Sequence, residues 1–192
     1  MDLRITAKEV VNGVYNGDVS NYEGSIYLEE NLGTVYFPKL INCTGQLIAG
    51  KGTGIKAGWS INAGWSIQAG GGIQAGWSIN AGDSINAGEG IQAGYNINAG
   101  GGIQAGWGIN AGWGINAGLS ITAKTSIEAK YRILAGTCSW KEPSKEEMTI
   151  TCSKLLSGKV VLGNLVETGI TEEPACEVTI KGITYLLVPK CG

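Results

Sequence analysis

The stretch Ile55-Lys56-Ala57-Gly58-Trp59-Ser60-Ile61-Asn62-Ala63-Gly64-Trp65-Ser66-Ile67-Gln68-Ala69-Gly70-Gly71-Gly72 states one six-residue phrase three times. Ile, a second residue that is nearly always polar, Ala and Gly are followed by two freer positions. Ile recurs at every sixth residue as far as Ile133, and Ala follows two places after each, up to Ala135. Gly takes the next place from Gly58 to Gly118, gives way to Lys124 and Lys130, and returns at Gly136. A helix carrying such glycines would lose roughly 1 kcal/mol at each one. A short fixed period is the mark of a solenoid, and a hexapeptide period points to a β-helix.

A longer period lies inside the short one. Taken at every third phrase, the fifth position reads Trp59, Trp77, Tyr95, Trp113 and Tyr131, all aromatic. The other two series there are mixed: Trp65, Asp83, Gly101, Leu119, and Gly71, Glu89, Trp107, Thr125. Asn62, Asn80, Asn98 and Asn116 form a uniform series at the second position, as Gly72, Gly90 and Gly108 do at the sixth. A triangular β-helix with eighteen residues per coil, three flat faces of six, explains all of them. Each series is then a column whose members sit about 4.8 Å apart.

Ile and Ala, two apart on a strand, point to the same side. The invariant apolar pair is therefore the inside, and the residue between them faces out. Burying one Ile contributes roughly 1.5–3 kcal/mol, so a narrow prism of stacked Ile can hold together without a second layer. Glycine after Ala falls where the chain turns a corner, and is expected to adopt a backbone angle that a β-carbon resists.

Three regions follow: an N-terminal cap with irregular coils over 1–54, the regular helix over 55–136, and a small C-terminal β lobe over 137–192. In the first, Ser25–Glu29 and Thr34–Phe37 read as strands, and Asn12-Gly13 as a turn. Residues 1 to about 24 would cover the unpaired edge that a solenoid end exposes. Leu32 to Ala49 resembles the irregular coils of β-solenoids such as receptor L-domain-like proteins. Beyond 136, Ser144 and Glu147 have the spacing of a helical-turn cap. Strands are expected at Met148–Cys152, Lys159–Leu162, Glu177–Ile180 and Ile183–Val188.

Composition limits the chemistry. The net charge is −2 over 192 residues, and 55–123 carries only Lys56, Asp83 and Glu89, so no footprint for direct nucleic-acid binding appears. No signal-length or membrane-spanning apolar run is present, which sets the expectation of a cytoplasmic protein without membrane contact. Five cysteines without a Cys-x-x-Cys pair, and no histidine, argue against zinc and make the cysteines small buried hydrophobes. Gly45–Gly52 nearly spells a phosphate-binding loop, but Gly52 stands where Ser or Thr must hold magnesium, and a β-repeat follows where a helix is needed. No cofactor or metal is called for.

The repeat is similar to that of hexapeptide acyltransferases, yet the large and small inward positions are exchanged and the histidine base of that family is missing. Asp83 and Glu89 fall in different columns and cannot form the carboxylate pair of a glycosidase. The chain is therefore expected not to be an enzyme. The candidate site is instead the aromatic column Trp59, Trp77, Tyr95, Trp113 and Tyr131, with Trp65 and Trp107 on other faces, expected to bind another protein and to be covered in part by the C-terminal segment.

The Gly- and Ile-rich coils of 55–136 resemble bactofilins, which implies a self-assembling scaffold and hence a homo-oligomer. The repeat-plus-tail layout is also similar to uncharacterised phage and mobile-element β-solenoid proteins. That resemblance implies an inhibitor of a host defence protein, a CRISPR effector for example. Ice or a glycan is a further target for a flat regular face.

Overall fold

Each Ile-X-Ala triplet of the repeat lies in a strand of the computed structural model, which describes residues 2–169 and, beyond them, the backbone of Cys176–Ile180 and Ile183–Leu187. Strands one circuit apart pair in parallel and in register. On the first face Ile55 pairs with Ile73, Ile73 with Ile91 and Ile91 with Ile109. Ile61, Ile79, Ile97 and Ile115 stack likewise on the second, and Ile67, Ile85, Ile103 and Ile121 on the third. The circuit is thus three hexads, and the molecule is an all-β solenoid of about 9 turns.

The third face is a nine-stranded sheet from Leu3–Ile5 to Asn164–Glu167. The other two merge into one fourteen-stranded sheet, because Ser126–Ala135 runs as a single strand around their shared corner. Lys130 takes the glycine place in that strand.

The core is the stack of inward pairs. No Ile from Ile55 to Ile133 exposes more than 1 %, and no Ala from Ala57 to Ala135 more than 8 %. Among the described residues no buried side-chain nitrogen or oxygen lacks a hydrogen-bond partner.

The corner glycines serve a different purpose from the one expected. None from Gly58 to Gly118 has a positive φ. The constraint is the coil beneath: a β-carbon on Gly76, Gly82, Gly94 or Gly112 would sit 2.0–2.1 Å from the carbonyl oxygen of the glycine one circuit earlier. Coils approach so closely there that only a hydrogen fits.

The N-terminal coils are longer. Leu3 pairs with Ile26, Ile26 with Leu47 and Leu47 with Ile67, steps of 23, 21 and 20 residues. The first coil belongs to the stack, burying Ile5 and Val19. Over the first face a hairpin of Val10–Val11 and Val14–Tyr15 turns at Asn12 and Gly13, both at positive φ, as the Asn-Gly signal predicts. The segment resembling a phosphate loop is a solenoid corner. Leu47–Ala49 is a strand, Gly52 turns at φ +69°, and the buried Thr53 hydroxyl donates to the Glu29 carbonyl and accepts from the Leu32 N–H.

The region from 137 divides in two. Residues 137–148 leave the prism and return, with the Ser144 N–H donating to Glu147 and the Glu147 N–H to Ser144 Oγ, the reciprocal cap expected. Thr149–Cys152 then pairs in parallel with Ile121–Ala123, and Asn164–Glu167 with Thr149–Cys152, so the stack continues past the boundary read from the sequence. Ile150 and Cys152 are fully buried in the same core. Cys176–Ile180 and Ile183–Leu187 form a separate antiparallel pair, while the turn expected at Lys181-Gly182 lies outside the described residues.

Candidate functional site

The corner between the first and second faces carries the aromatic column. Its backbone is itself a ladder: the N–H of Trp77 donates to the Trp59 carbonyl, Tyr95 to Trp77, Trp113 to Tyr95 and Tyr131 to Trp113, at 2.9–3.2 Å. That ladder fixes the Cα atoms one above another and forces the rings together. Trp59 and Trp77 stack with centroids 5.8 Å apart, Trp77 and Tyr95 5.9 Å, and Tyr95 and Trp113 5.2 Å, with planes within 27° of parallel. Tyr131 closes the file edge-on to Trp113, at 5.2 Å and 64°.

This geometry decides what the column offers. The inner rings face one another along the prism axis, an offset-stacked arrangement favoured by their quadrupoles. Solvent meets the sides of the file rather than the inner faces. All five rings are between 44 % and 59 % exposed among the described residues, and the C-terminal segment expected to cover part of them lies largely outside those residues. Trp65 and Trp107 are also exposed but stand at the other two corners, in ladders with Asp83 and Glu89 respectively. They do not join the strip. Asp83 and Glu89 are held at different corners in turn, Asp83 accepting from the Ser66 and Ser84 hydroxyls.

The flanks of the strip are amides. On the second face Asn80 donates from Nδ2 to Asn62 Oδ1 and Asn98 to Asn80 Oδ1, each at 2.8 Å, while Thr137 donates to Asn116 Oδ1. On the first face Tyr36, Lys56, Gln74 and Gln92 line an open groove of about 590 Å³ beside the hairpin turn at Asn12 and Gly13. Trp140, on the excursion over the second face, is exposed beside Cys138 and Asn116. Sequence reading passed over it because it lies outside the period.

Basic residues gather at the C-terminal end of the strip. The Lys130 ammonium lies 5.3 Å from the Tyr131 ring centroid, and Asn96, Trp113, Gly114, Tyr131 and Arg132 line a notch of about 390 Å³.

The groups whose proton affinity is displaced lie elsewhere. Burial pushes the Cys43 thiol up to about 11, and raises Cys152, with Glu167 adding to the effect. Both are poor nucleophiles for that reason. The exposed Glu147 carboxyl is lowered by its hydrogen bond from Lys141 and by the Ser144 N–H. No three cysteines or acidic residues come together as metal ligands among the described residues, and no helix there is long and apolar enough to cross a membrane.

No protein family, curated protein or solved structure matches the chain. The feature of its surface that departs most from the needs of the fold is the corner where five rings stand in file.

Proposed function

We propose that the chain is a non-catalytic binding rod that docks another protein along its aromatic corner. One observation carries this reading: five aromatic side chains, each roughly half-exposed, form a continuous apolar strip on a backbone that does not require them. Contiguous patches of this kind usually mark interaction sites, and Trp and Tyr dominate binding energy at interfaces. The rod is rigid, so the strip is pre-organised and loses little entropy on docking. The resemblance to phage and mobile-element solenoids gives the reading a role: an inhibitor that occupies a host defence protein, such as a CRISPR effector, in the cytoplasm.

The stacking bears on the other targets. A sugar ring packs on an aromatic face, and here the inner faces are already occupied by neighbouring rings. Changing Trp77, Tyr95 and Trp113 together to Ser tests the proposal. Recovery of one stoichiometric complex from host lysate should disappear with the triple change, while a partner still recovered undiminished would move the site to another face.

A second reading, the bactofilin-like scaffold, has its own support. Among the described residues Asn164–Glu167 is the last strand of its sheet and exposes Leu165 and Val166 at its edge, the kind of edge that recruits another strand. Filaments that lengthen with concentration in the electron microscope would favour it.

A further inference from the structure

The strip has a chemically distinct end. Arg132 lies in register with Gly114 on one side and with Lys159 of strand Lys154–Leu162 on the other. In-register neighbours stand about 4.8 Å apart, and like charges directly opposite one another are destabilising. Lys130, Arg132 and Lys159 are all exposed, and Lys130 lies against the last ring. The sole ion pair among the described residues joins Lys141 to Glu147, on the excursion. Glu128, on the same strand, accepts a hydrogen bond from Asn110 instead. A rod whose coils over 55–123 carry only Lys56, Asp83 and Glu89 thus keeps, at one end of its apolar strip, a basic cluster with no ion pair among the described residues.

The column around Gly114 makes room beside that cluster. Ser60, Ser78 and Asn96 occupy the places below it, and Gly114 breaks the series of side chains. A β-carbon there would meet the Arg132 carbonyl oxygen at 3.0 Å and Arg132 Cγ at 3.3 Å. Glycine lets the Arg132 stem lie down and leaves the notch of about 390 Å³ between the Trp113 and Tyr131 rings and the Asn96 amide.

We infer that this notch receives a carboxylate side chain of the docked partner, so that the segment bound along the strip is an apolar stretch of protein with Asp or Glu at the end over Arg132 and Lys159. The inference rests on the protein-binding reading and adds a chemistry and a direction to it. A guanidinium beside aromatic walls binds a carboxylate more strongly than one in open water, because charge-assisted hydrogen bonds strengthen as water is excluded. A single-stranded nucleic acid fits less well. Its bases need free ring faces and its phosphates need cations along the whole path, whereas the inner faces are stacked and the cations lie at one end.

Random peptides displayed against the full-length chain supply the test, with selected peptides then titrated against three proteins: the parent, Arg132→Glu with Lys159→Glu, and Trp77→Ser with Tyr95→Ser. Circular dichroism melts confirm that each variant is folded. The expected peptides join aromatic or aliphatic residues to a terminal Asp or Glu. Charge reversal should weaken them at least about tenfold, with the loss shrinking in high salt, and replacing the acid by Lys should restore binding to the reversed protein. Peptides without acid enrichment, or an affinity indifferent to the reversal, would overturn the inference. If such peptides still require Trp77 and Tyr95, the strip reading survives alone. If the selected peptides bind all three proteins equally, both fall. An oligothymidylate that binds the parent and is lost on charge reversal would replace the carboxylate by phosphate and also overturn it.

Discussion

The three corners of the prism share one backbone and differ in their side chains. At each, the residue after glycine donates its N–H to the equivalent carbonyl one circuit earlier. At each, glycine is imposed by the same close approach: a β-carbon on Gly94 at the aromatic corner, or on Gly100 at the Trp65 corner, would lie 2.1 Å from the oxygen beneath. Yet the next position holds Trp65, Asp83, Gly101 and Leu119 at one corner, Gly71, Glu89, Trp107 and Thr125 at another, and only rings at the third. The fold therefore tolerates almost anything at that position. An unbroken file of aromatics at one corner is more than the fold requires, and this is the physical ground for the binding role proposed for it.

Substitutions at the core, the corners and the rings separate what the fold needs from what it tolerates. Ile91→Asp puts a charge among fully apolar neighbours and should cost more than about 4 kcal/mol, unfolding the surrounding coils. A urea melt at the parental midpoint would refute the core assignment. Gly94→Ala and Gly100→Ala should each cost about 1–3 kcal/mol by forcing coils apart, and by similar amounts although their corners differ. Gly90→Ala, whose β-carbon would meet its nearest atom only at 3.4 Å, is expected to cost under about 1 kcal/mol. A cost for Gly90→Ala as large as for the other two would mean that the close approach of the coils is not what sets the need for glycine.

Smaller effects are expected at the surface. Trp77→Ser breaks two ring contacts and should cost about 0.5–2 kcal/mol, whereas Trp65→Ser, with no ring contact among the described residues, should stay within about 0.5 kcal/mol. The inward Ala column gives a pH-dependent control, because Cys43 sits there in register with Ala63. Its thiol is held up to about 11 when folded, while an unfolded cysteine ionises near ~8.5. Above that pH the unfolded state binds fewer protons than the native one, so stability should fall as pH rises from about 8.5 towards 11. Cys43→Ala should flatten the slope in alkaline denaturation curves.

The fold was legible because its cause is periodic. Ile-X-Ala every six residues sets the strand, the inside and the circuit together, and the aromatic column follows from counting by eighteen. The reason for the corner glycines was not legible, since crowding from a neighbouring coil and a left-handed φ leave the same residue in the sequence. The continuation past Gly136 was hidden by the excursion 137–148, which separates Ile121 from its partner Ile150 by 29 residues. The reciprocal cap of Ser144 and Glu147 within that excursion could be read, because it is local. The pairing of Arg132 with Lys159 could not, because irregularities between Ser126–Ala135 and Lys154–Leu162 shift the register twice between Ile127 and Arg132.

The most direct test of the binding claim measures stability and binding on one variant carrying Trp77→Ser, Tyr95→Ser and Trp113→Ser. A cooperative melt lowered only by the lost ring contacts is expected, together with loss of binding to the displayed peptides and to the partner recovered from lysate. A variant that binds as the parent does, or that loses binding only because its coils have unfolded, would contradict it.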